Sequence, residues 1–95
     1  MRKPKLIPEL GELPELFGQE AFLPRITAVG RQRLLLENHR GIQEFSPLRI
    51  VLRLRGGSLS VWGEGLKIQA MNQSQLLITG NLSRLEWEDS NEKHI

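Results

Sequence analysis

An alternating stretch occupies the middle of the chain: LRIVLRLRGGSLSVW, residues 48–62. In its first half, every second position is aliphatic, namely Leu48, Ile50, Leu52 and Leu54. Because successive side chains of a β-strand point to opposite faces, this pattern predicts a half-buried strand with those side chains in the core. Gly56-Gly57 has the composition of a two-residue turn, and Ser58–Trp62 returns as the partner strand. The stretch therefore predicts a β-hairpin.

Short strands are also predicted on both sides of this hairpin. They are expected at residues 25–29, 33–37, 42–45, 66–70, 75–79 and 82–88. Turns are expected at Gly63-Glu64-Gly65 and Gly80-Asn81, and Asn38-His39-Arg40-Gly41 is interpreted as a tight hairpin turn. About eight short strands without an ordinary helix between them predict an all-β domain, a compact antiparallel sandwich or roll. The faint similarity of GSLSVWG, GEGLKIQ, QLLITG and NLSRLEW leaves a short β-solenoid as the alternative.

The chain is expected to have three parts. Residues 1–22 form an N-terminal segment in which Leu10, Leu13, Leu16 and Phe17 have helical spacing, so short helical turns are predicted over residues 8–22. This segment is interpreted as cover for one end of the core or as a docking element. Residues 23–88 form the all-β domain, and residues 89–95 form a polar tail that frays.

Composition excludes several classes of function. The 95 residues include no cysteine, which removes disulfide frameworks, thiolate metal sites and cysteine nucleophiles. No apolar run is long enough for a signal peptide or a transmembrane helix, so a cytoplasmic protein without its own membrane span is expected. The net charge of +2 conceals a basic middle, because residues 25–55 contain seven arginines and two glutamates. Such a patch attracts anionic partners.

Few side chains are suited to catalysis. The densest polar cluster is Glu37-Asn38-His39-Arg40-Gly41, in which His39 beside Glu37 is a candidate general base. We favour a structural interpretation, in which the polar groups of this turn bond to the backbone and to water. A lone histidine also makes a poor metal site. We therefore predict no catalytic, metal-binding or cofactor-binding residue, no cofactor and no enzymatic activity.

The candidate interaction surface consists of arginines and one tryptophan: Arg49, Arg53, Arg55 and Trp62. The arginines lie on alternate positions opposite the aliphatic face, interrupted by Val51. They form either a solvated face or a contact for an acidic partner, including the acidic segments of a second copy. Nucleic-acid binding is not expected, because the chain has only two tryptophans, three phenylalanines and no tyrosine for stacking on bases.

Trp62 lies off the apolar register of its strand. An apolar group on the solvent side is usually covered or part of an interface. We expect either that Phe17 and Phe22 cover it or that it contacts a partner, beside arginine, as a binding hot spot.

Several blocks of the sequence resemble the YabP/YqfC family of sporulation proteins, most closely its YqfC branch. The blocks are LPRIT at 23–27, Val29-Gly30, LENHRGI at 36–42, Phe45-Ser46, the Gly57-x-Leu59-x-Val61-x-Gly63 spacing, Leu66-x-Ile68 and Leu77-Ile78-x-Gly80. The resemblance as a whole covers roughly residues 15–88. Residues 37–41 mark the family, without an assigned role.

The resemblance implies a small mother-cell protein of endospore-forming bacteria that helps to build the spore envelope. It also implies a membrane-bound partner of the YqfD type at the forespore membrane. The resulting hypothesis is a non-enzymatic assembly module that self-associates or docks on that membrane protein. The alternative is a module that binds anionic envelope material, such as lipid headgroups or cell-wall polymer, through Arg40, Arg49, Arg53 and Arg55. An enzyme that uses Glu37 and His39 is a third hypothesis.

Overall fold

The computed structural model describes residues 22–89, which form one antiparallel sheet of six strands. The strands are β1 Arg25–Val29, β2 Arg33–Glu37, β3 Ile42–Ser46, β4 Arg49–Leu54, β5 Gly57–Met71 and β6 Gln75–Asp89. Their order across the sheet is β1-β2-β6-β5-β4-β3. The all-β prediction is confirmed, and antiparallel pairing throughout is not the parallel stacking of a solenoid. Of the helical turns predicted over residues 8–22 and the frayed tail predicted over residues 89–95, the structure describes only Phe22 and Asp89, and Asp89 is the last residue of β6.

The prediction of about eight strands is wrong because β5 and β6 are each 15 residues long. The turns expected at Gly63-Glu64-Gly65 and Gly80-Asn81 are bends inside these two strands. Their pairing continues through the bend by register shifts between Trp62 and Gly63 and between Glu64 and Lys67. A bulge of this kind bends a strand without ending its ladder.

Glycine is required at the bend for two separate reasons. Gly80 has φ of 142°, a conformation that L side chains rarely adopt, and a Cβ there would lie 2.8 Å from the carbonyl oxygen of Gly65. A Cβ on Gly63 would overlap the carbonyl oxygen of Asn81. The backbones of β5 and β6 thus approach each other too closely at positions 63 and 80 for a side chain there.

The bend divides the sheet into two layers. The β1–β2 layer consists of β1, β2, residues 75–79 of β6 and residues 67–71 of β5. The β3–β4 layer consists of β3, β4, residues 57–62 of β5 and residues 82–89 of β6. Side chains from both layers meet in one cluster: Leu34, Leu36, Ile50, Leu52, Leu54, Leu59, Val61, Leu66, Leu76, Ile78 and Leu82. Since no helix covers the sheet within residues 22–89, each layer buries the other, and the sheet is rolled onto itself.

The central hairpin is confirmed with two differences. The turn is Arg55-Gly56, one residue earlier than predicted, because Gly57 already pairs with Leu54. Leu48 was expected in the core, but it is 60% exposed and lies before β4 begins. The hydroxyl of Ser46 accepts hydrogen bonds from the backbone N–H groups of Leu48 and Arg49, which holds Leu48 in a turn.

The interpretation of Asn38–Gly41 as a hairpin turn is wrong. β2 pairs with β1 and β6, whereas β3 lies at the far edge of the sheet and pairs with β4. Residues 37–41, here called the crossover segment, carry the chain from one layer to the other. The residues of this segment are compatible with a hairpin turn and with a crossover between layers. The pairing of β2 with β6 produces the crossover.

Candidate functional site

The solvent side of the β3–β4 layer, here called the outer face, carries three rows of cross-strand neighbours. They are Arg53–Ser58–Glu88, Val51–Ser60–Glu86 and Arg49–Trp62–Arg84. Residues directly opposite each other in an antiparallel pair lie on the same face, so these side chains form a grid. Each strand contributes one column to the grid. β4 contributes arginines interrupted by Val51, β5 contributes serines and Trp62, and β6 contributes two glutamates and Arg84.

Trp62 is bracketed by two guanidinium groups from the neighbouring strands. The Cζ atoms of Arg49 and Arg84 lie 4.6 Å and 4.7 Å from the centre of its ring. Both distances are within the range of cation–π attraction. The indole Nε1 and the Nε of Arg49 are shielded from solvent and have no hydrogen-bond partner among the described residues. Trp62 is therefore held in place as part of the outer face.

Acidic and hydroxyl groups hold the two arginines. Arg49 donates from Nη1 to the carboxylate of Glu44 at 3.4 Å and from Nη2 to the Oγ of Ser60 at 3.3 Å. The Nη2 of Arg84 lies 3.8 Å from the Oε1 of Glu86. These contacts orient both guanidinium groups against Trp62.

The arginine row is interrupted at Val51, as the sequence predicted, and its members differ in their surroundings. Arg49 is engaged with its neighbours, Val51 is buried at 3% exposure outside the core cluster, and Arg53 is exposed. Arg55 lies beyond the end of β4, in the turn. Phe22, expected to cover Trp62, is instead 79% exposed, and Phe17 lies outside the described residues.

The crossover segment is fastened at several points. Glu37 ends β2 with its carboxylate 4.0 Å from Arg25 Nη1. Asn38 has φ of 66°, a left-handed conformation that asparagine tolerates better than most residues. Its backbone N–H donates to the carbonyl of Ser74, and its Nδ2 donates to the carbonyl of Leu23. The start of the segment is thus tied to the β5–β6 loop and to the entry of β1.

His39 and Arg40 complete the connection. The Nδ1 of His39 accepts from the N–H of Gly41 at 3.0 Å, so Nε2 is the atom that donates to the carbonyl of Asn72 at 3.0 Å. Arg40 and Gly41 exchange backbone hydrogen bonds with Arg53, which extends the β3–β4 ladder. His39 is 8% exposed. Both ring nitrogens bond to the backbone, as the structural interpretation of this segment expects.

Side chains that could bind a metal ion are dispersed in the described part of the chain. Within residues 22–89, no three metal-binding side chains come together. In the same range, no helix has the length and apolar character needed to span a membrane.

Two features of the surface were missed from the sequence. The glutamates at positions 86 and 88 face the arginine column only because β5 lies between β4 and β6. Leu85 and Trp87 are 36% and 60% exposed, although they alternate with charged residues as core side chains do. The alternation in SRLEWED was the available signal, but it does not indicate that the opposing layer fails to cover them.

The fold and surfaces define a small all-β domain built from one rolled antiparallel sheet. The chain belongs to the YabP family, whose sequence profile matches residues 23–94. It is 35% identical over 68 residues to the uncharacterized protein YqfC of Bacillus subtilis strain 168, a match that covers 72% of this chain and 73% of that protein. The resemblance to the YabP/YqfC family is thereby confirmed. No solved structure is significantly similar to the chain.

Proposed function

We propose that this chain is a non-enzymatic assembly module of spore-envelope formation that binds a partner protein through its outer face. Membership in the YabP family and the sporulation role implied by the YabP/YqfC resemblance support the process. The partner is a membrane-bound sporulation protein of the YqfD type. The module acts in the mother-cell cytoplasm, peripherally at the forespore membrane.

The observation that carries the proposal is the separation of charge across the outer face. Arg53 on β4 and Glu88 on β6 flank Ser58 in one row, so positive and negative charge lie two strands apart, about 10 Å. Arg49, which contacts Glu44 and Ser60, lies in the row at the opposite end of the grid. Complementary charge of this kind sets the register and orientation of a protein contact more than its raw affinity.

Binding of anionic lipid or polymer is the alternative. Of the four arginines in that hypothesis, Arg49 already contacts Glu44, and Arg55 lies in the turn beyond β4. Glu86 and Glu88 lie on the same face and repel a polyanion. The surface therefore favours a protein of mixed charge over a uniformly anionic ligand.

Charge reversal on the grid tests the proposal. The full chain is co-expressed with a YqfD-type membrane protein, and the amount recovered with detergent-solubilised partner is measured for Arg53→Glu and for Glu88→Lys. Both variants are expected to lose most of the bound chain. Arg33→Glu is the matched control, because Arg33 is exposed on β2 in the other layer. Equal recovery of all variants, or no recovery of the unmodified chain, would overturn the outer-face contact.

Sedimentation with vesicles that contain anionic lipid distinguishes the anion-binding alternative from the proposed protein contact. The unmodified chain is expected to stay unbound after sedimentation. Binding that disappears in the triple variant Arg49→Ala, Arg53→Ala and Arg55→Ala would favour the anion-binding function instead. In sporulating cells, a fluorescent fusion is expected at the forespore membrane, and a diffuse mother-cell signal would contradict the proposed location.

A further inference from the structure

Within residues 22–89, the second half of β6 is an open sheet edge. Residues 75–79 of β6 pair with β2 on one side and β5 on the other, but residues 84–89 pair only with β5 among the described residues. We call residues 84–89 the free edge. Unpaired backbone groups along such a strand are a template for another strand.

The free edge also exposes apolar side chains on the core side of the sheet. Leu85 and Trp87 lie opposite Val61 and Leu59, which are completely buried, yet their own exposures are 36% and 60%. Cross-strand partners share a face, so the β1–β2 layer stops short of these two side chains. Beside them runs a groove whose apolar lining comes from Ala28, Leu34, Leu82 and Leu85.

From this arrangement we propose that a second copy of the chain binds the free edge, β6 against β6, around a two-fold axis at Leu85. The inference deepens the proposed function, on which it rests for the role of the assembly, and it assigns self-association to the edge of β6, which shares Arg84, Glu86 and Glu88 with the outer face but not Arg53. An antiparallel pair of identical strands is self-complementary, as a two-fold dimer requires.

The charges on the strand select this register. With the axis at Leu85, Arg84 lies opposite the partner's Glu86, and the same pair recurs on the other side of the axis. An axis at Glu86 would place that residue opposite the partner's Glu86, and an axis at Trp87 would place Glu86 opposite the partner's Glu88. Like charges directly opposite each other destabilise a strand pair, whereas opposite charges stabilise it.

The same register covers the exposed apolar side chains. Leu85 meets the partner's Leu85, and the partner's Trp87 falls beside Ser83, where β6 has its register shift against β5. Ser83 lines the groove together with Leu82 and Leu34, so the indole of the second copy lies over an apolar surface. Both copies gain this contact, which removes from water the two exposed apolar residues of the free edge.

The other sheet edges are less suited to this role. β3 carries a register shift between Ile42 and Glu44, and bulges of this kind discourage edge pairing. β1 has only five residues. The register shift of β6 lies at Ser83, so Arg84 to Asp89 pair with β5 without a shift, and this segment adds exposed apolar groups and self-complementary charge.

Single cysteines can report the register, because the chain has no cysteine of its own. Under mild oxidation, full-length Leu85→Cys is expected to form a disulfide-linked dimer in most molecules, since facing residues bring their Cβ atoms about 5 Å apart. Glu86→Cys, one residue off the axis, is expected to cross-link far less. Lys67→Cys, exposed in the other layer, is the control that measures random collision.

Mass in solution tests the charge pairing. Light scattering of the unmodified full chain is expected to give twice the mass of one chain, with dissociation on dilution. Glu86→Arg is expected to raise the dissociation constant about tenfold or more, because it faces arginine with arginine. The double variant Arg84→Glu with Glu86→Arg restores opposite charge and is expected to recover the dimer. Circular dichroism shows whether each charge variant is folded. If a charge variant does not fold, the cross-linking of Leu85→Cys still tests the dimer.

Three outcomes would overturn the inference. The first is a monomer at every concentration without Leu85→Cys cross-linking, and the second is efficient cross-linking of Glu86→Cys alone. The third is a monomer whose amides at residues 84–89 resist hydrogen exchange, since another part of the same chain would then cover the edge. Arg53→Glu keeps the two proposals apart, because it is expected to lose the membrane partner while remaining dimeric.

Discussion

The imidazole of His39 joins the crossover segment to the carbonyl of Asn72 in the β5–β6 loop, over an Nε2–O distance of 3.0 Å. Its other nitrogen accepts from the N–H of Gly41. A single buried ring therefore fastens the connection between the two layers to the loop at the end of the long strands. The family-marking segment thus has a clear structural role in this fold.

Removal of the ring should destabilise the domain. His39→Ala leaves the carbonyl of Asn72 and the N–H of Gly41 without this partner, and is expected to lower the free energy of unfolding by about 1–3 kcal/mol. Arg40→Ala is the control, because its exposed side chain belongs to the same segment and should change stability by less than about 0.5 kcal/mol. Urea unfolding measures both. Equal effects would show that the ring does not fasten the crossover.

The bend between the layers should be intolerant of a side chain at Gly80. Gly80→Ala combines an unfavourable φ of 142° with a close approach to the carbonyl of Gly65, and is expected to cost more than about 2 kcal/mol. Gly30→Ala is the matched control, since φ is 58° there but no atom lies within 4 Å of the added Cβ. Thermal unfolding compares the two. A milder effect at Gly80 than at Gly30 would contradict the close approach of the backbones.

The two leucines at positions 48 and 52 should respond differently to the same change. Leu52 is fully buried, so Leu52→Ala is expected to cost about 2–5 kcal/mol. Leu48 lies in a turn at 60% exposure, and Leu48→Ala is expected to cost less than about 0.5 kcal/mol. Chemical denaturation measures both. A large decrease in the free energy of unfolding for Leu48→Ala would instead support the core position that the alternation predicted for Leu48.

The stack of Arg84 on Trp62 should be measurable as a coupling energy. A double-mutant cycle with Arg84→Gln and Trp62→Leu is expected to give about 0.5–1 kcal/mol, as for an exposed cation–π pair. The same cycle with Arg53→Gln should give almost none, because Arg53 lies in a different row. Coupling at both arginines, or at neither, would mean that Trp62 is not held as described.

Alternation predicted the strands well where the pattern was local. The bounds of β1 and β2 agree with the sequence, and β4 differs only at its ends. The bend at Gly63–Gly65 could not be distinguished from a turn, because glycine permits both and the difference is whether β6 continues to pair beyond it. The same limitation applied to the crossover segment, whose turn-forming residues do not reveal that β2 and β3 belong to different layers.

For the candidate surface too, the sequence predicted the side of the strand on which a residue lies but not its neighbours on other strands. The alternation placed Arg49 and Arg53 on the side opposite the core, and the structure agrees, since both lie in rows on the outer face. It did not reveal that Glu88 would face Arg53 across Ser58, or that Arg84 would stack on Trp62. These relations join residues more than twenty positions apart.

The sequence by itself determined which side of each strand is apolar, which family the chain resembles and which chemistries its composition lacks. These properties depend on residue type and on immediate neighbours, since a strand repeats every two residues. The tertiary structure alone decided that β6 lies between β2 and β5, that the sheet is rolled into two layers, and that residues 84–89 of β6 pair on one side only among the described residues. Those outcomes depend on which distant apolar faces bury each other, and a local pattern does not contain that information.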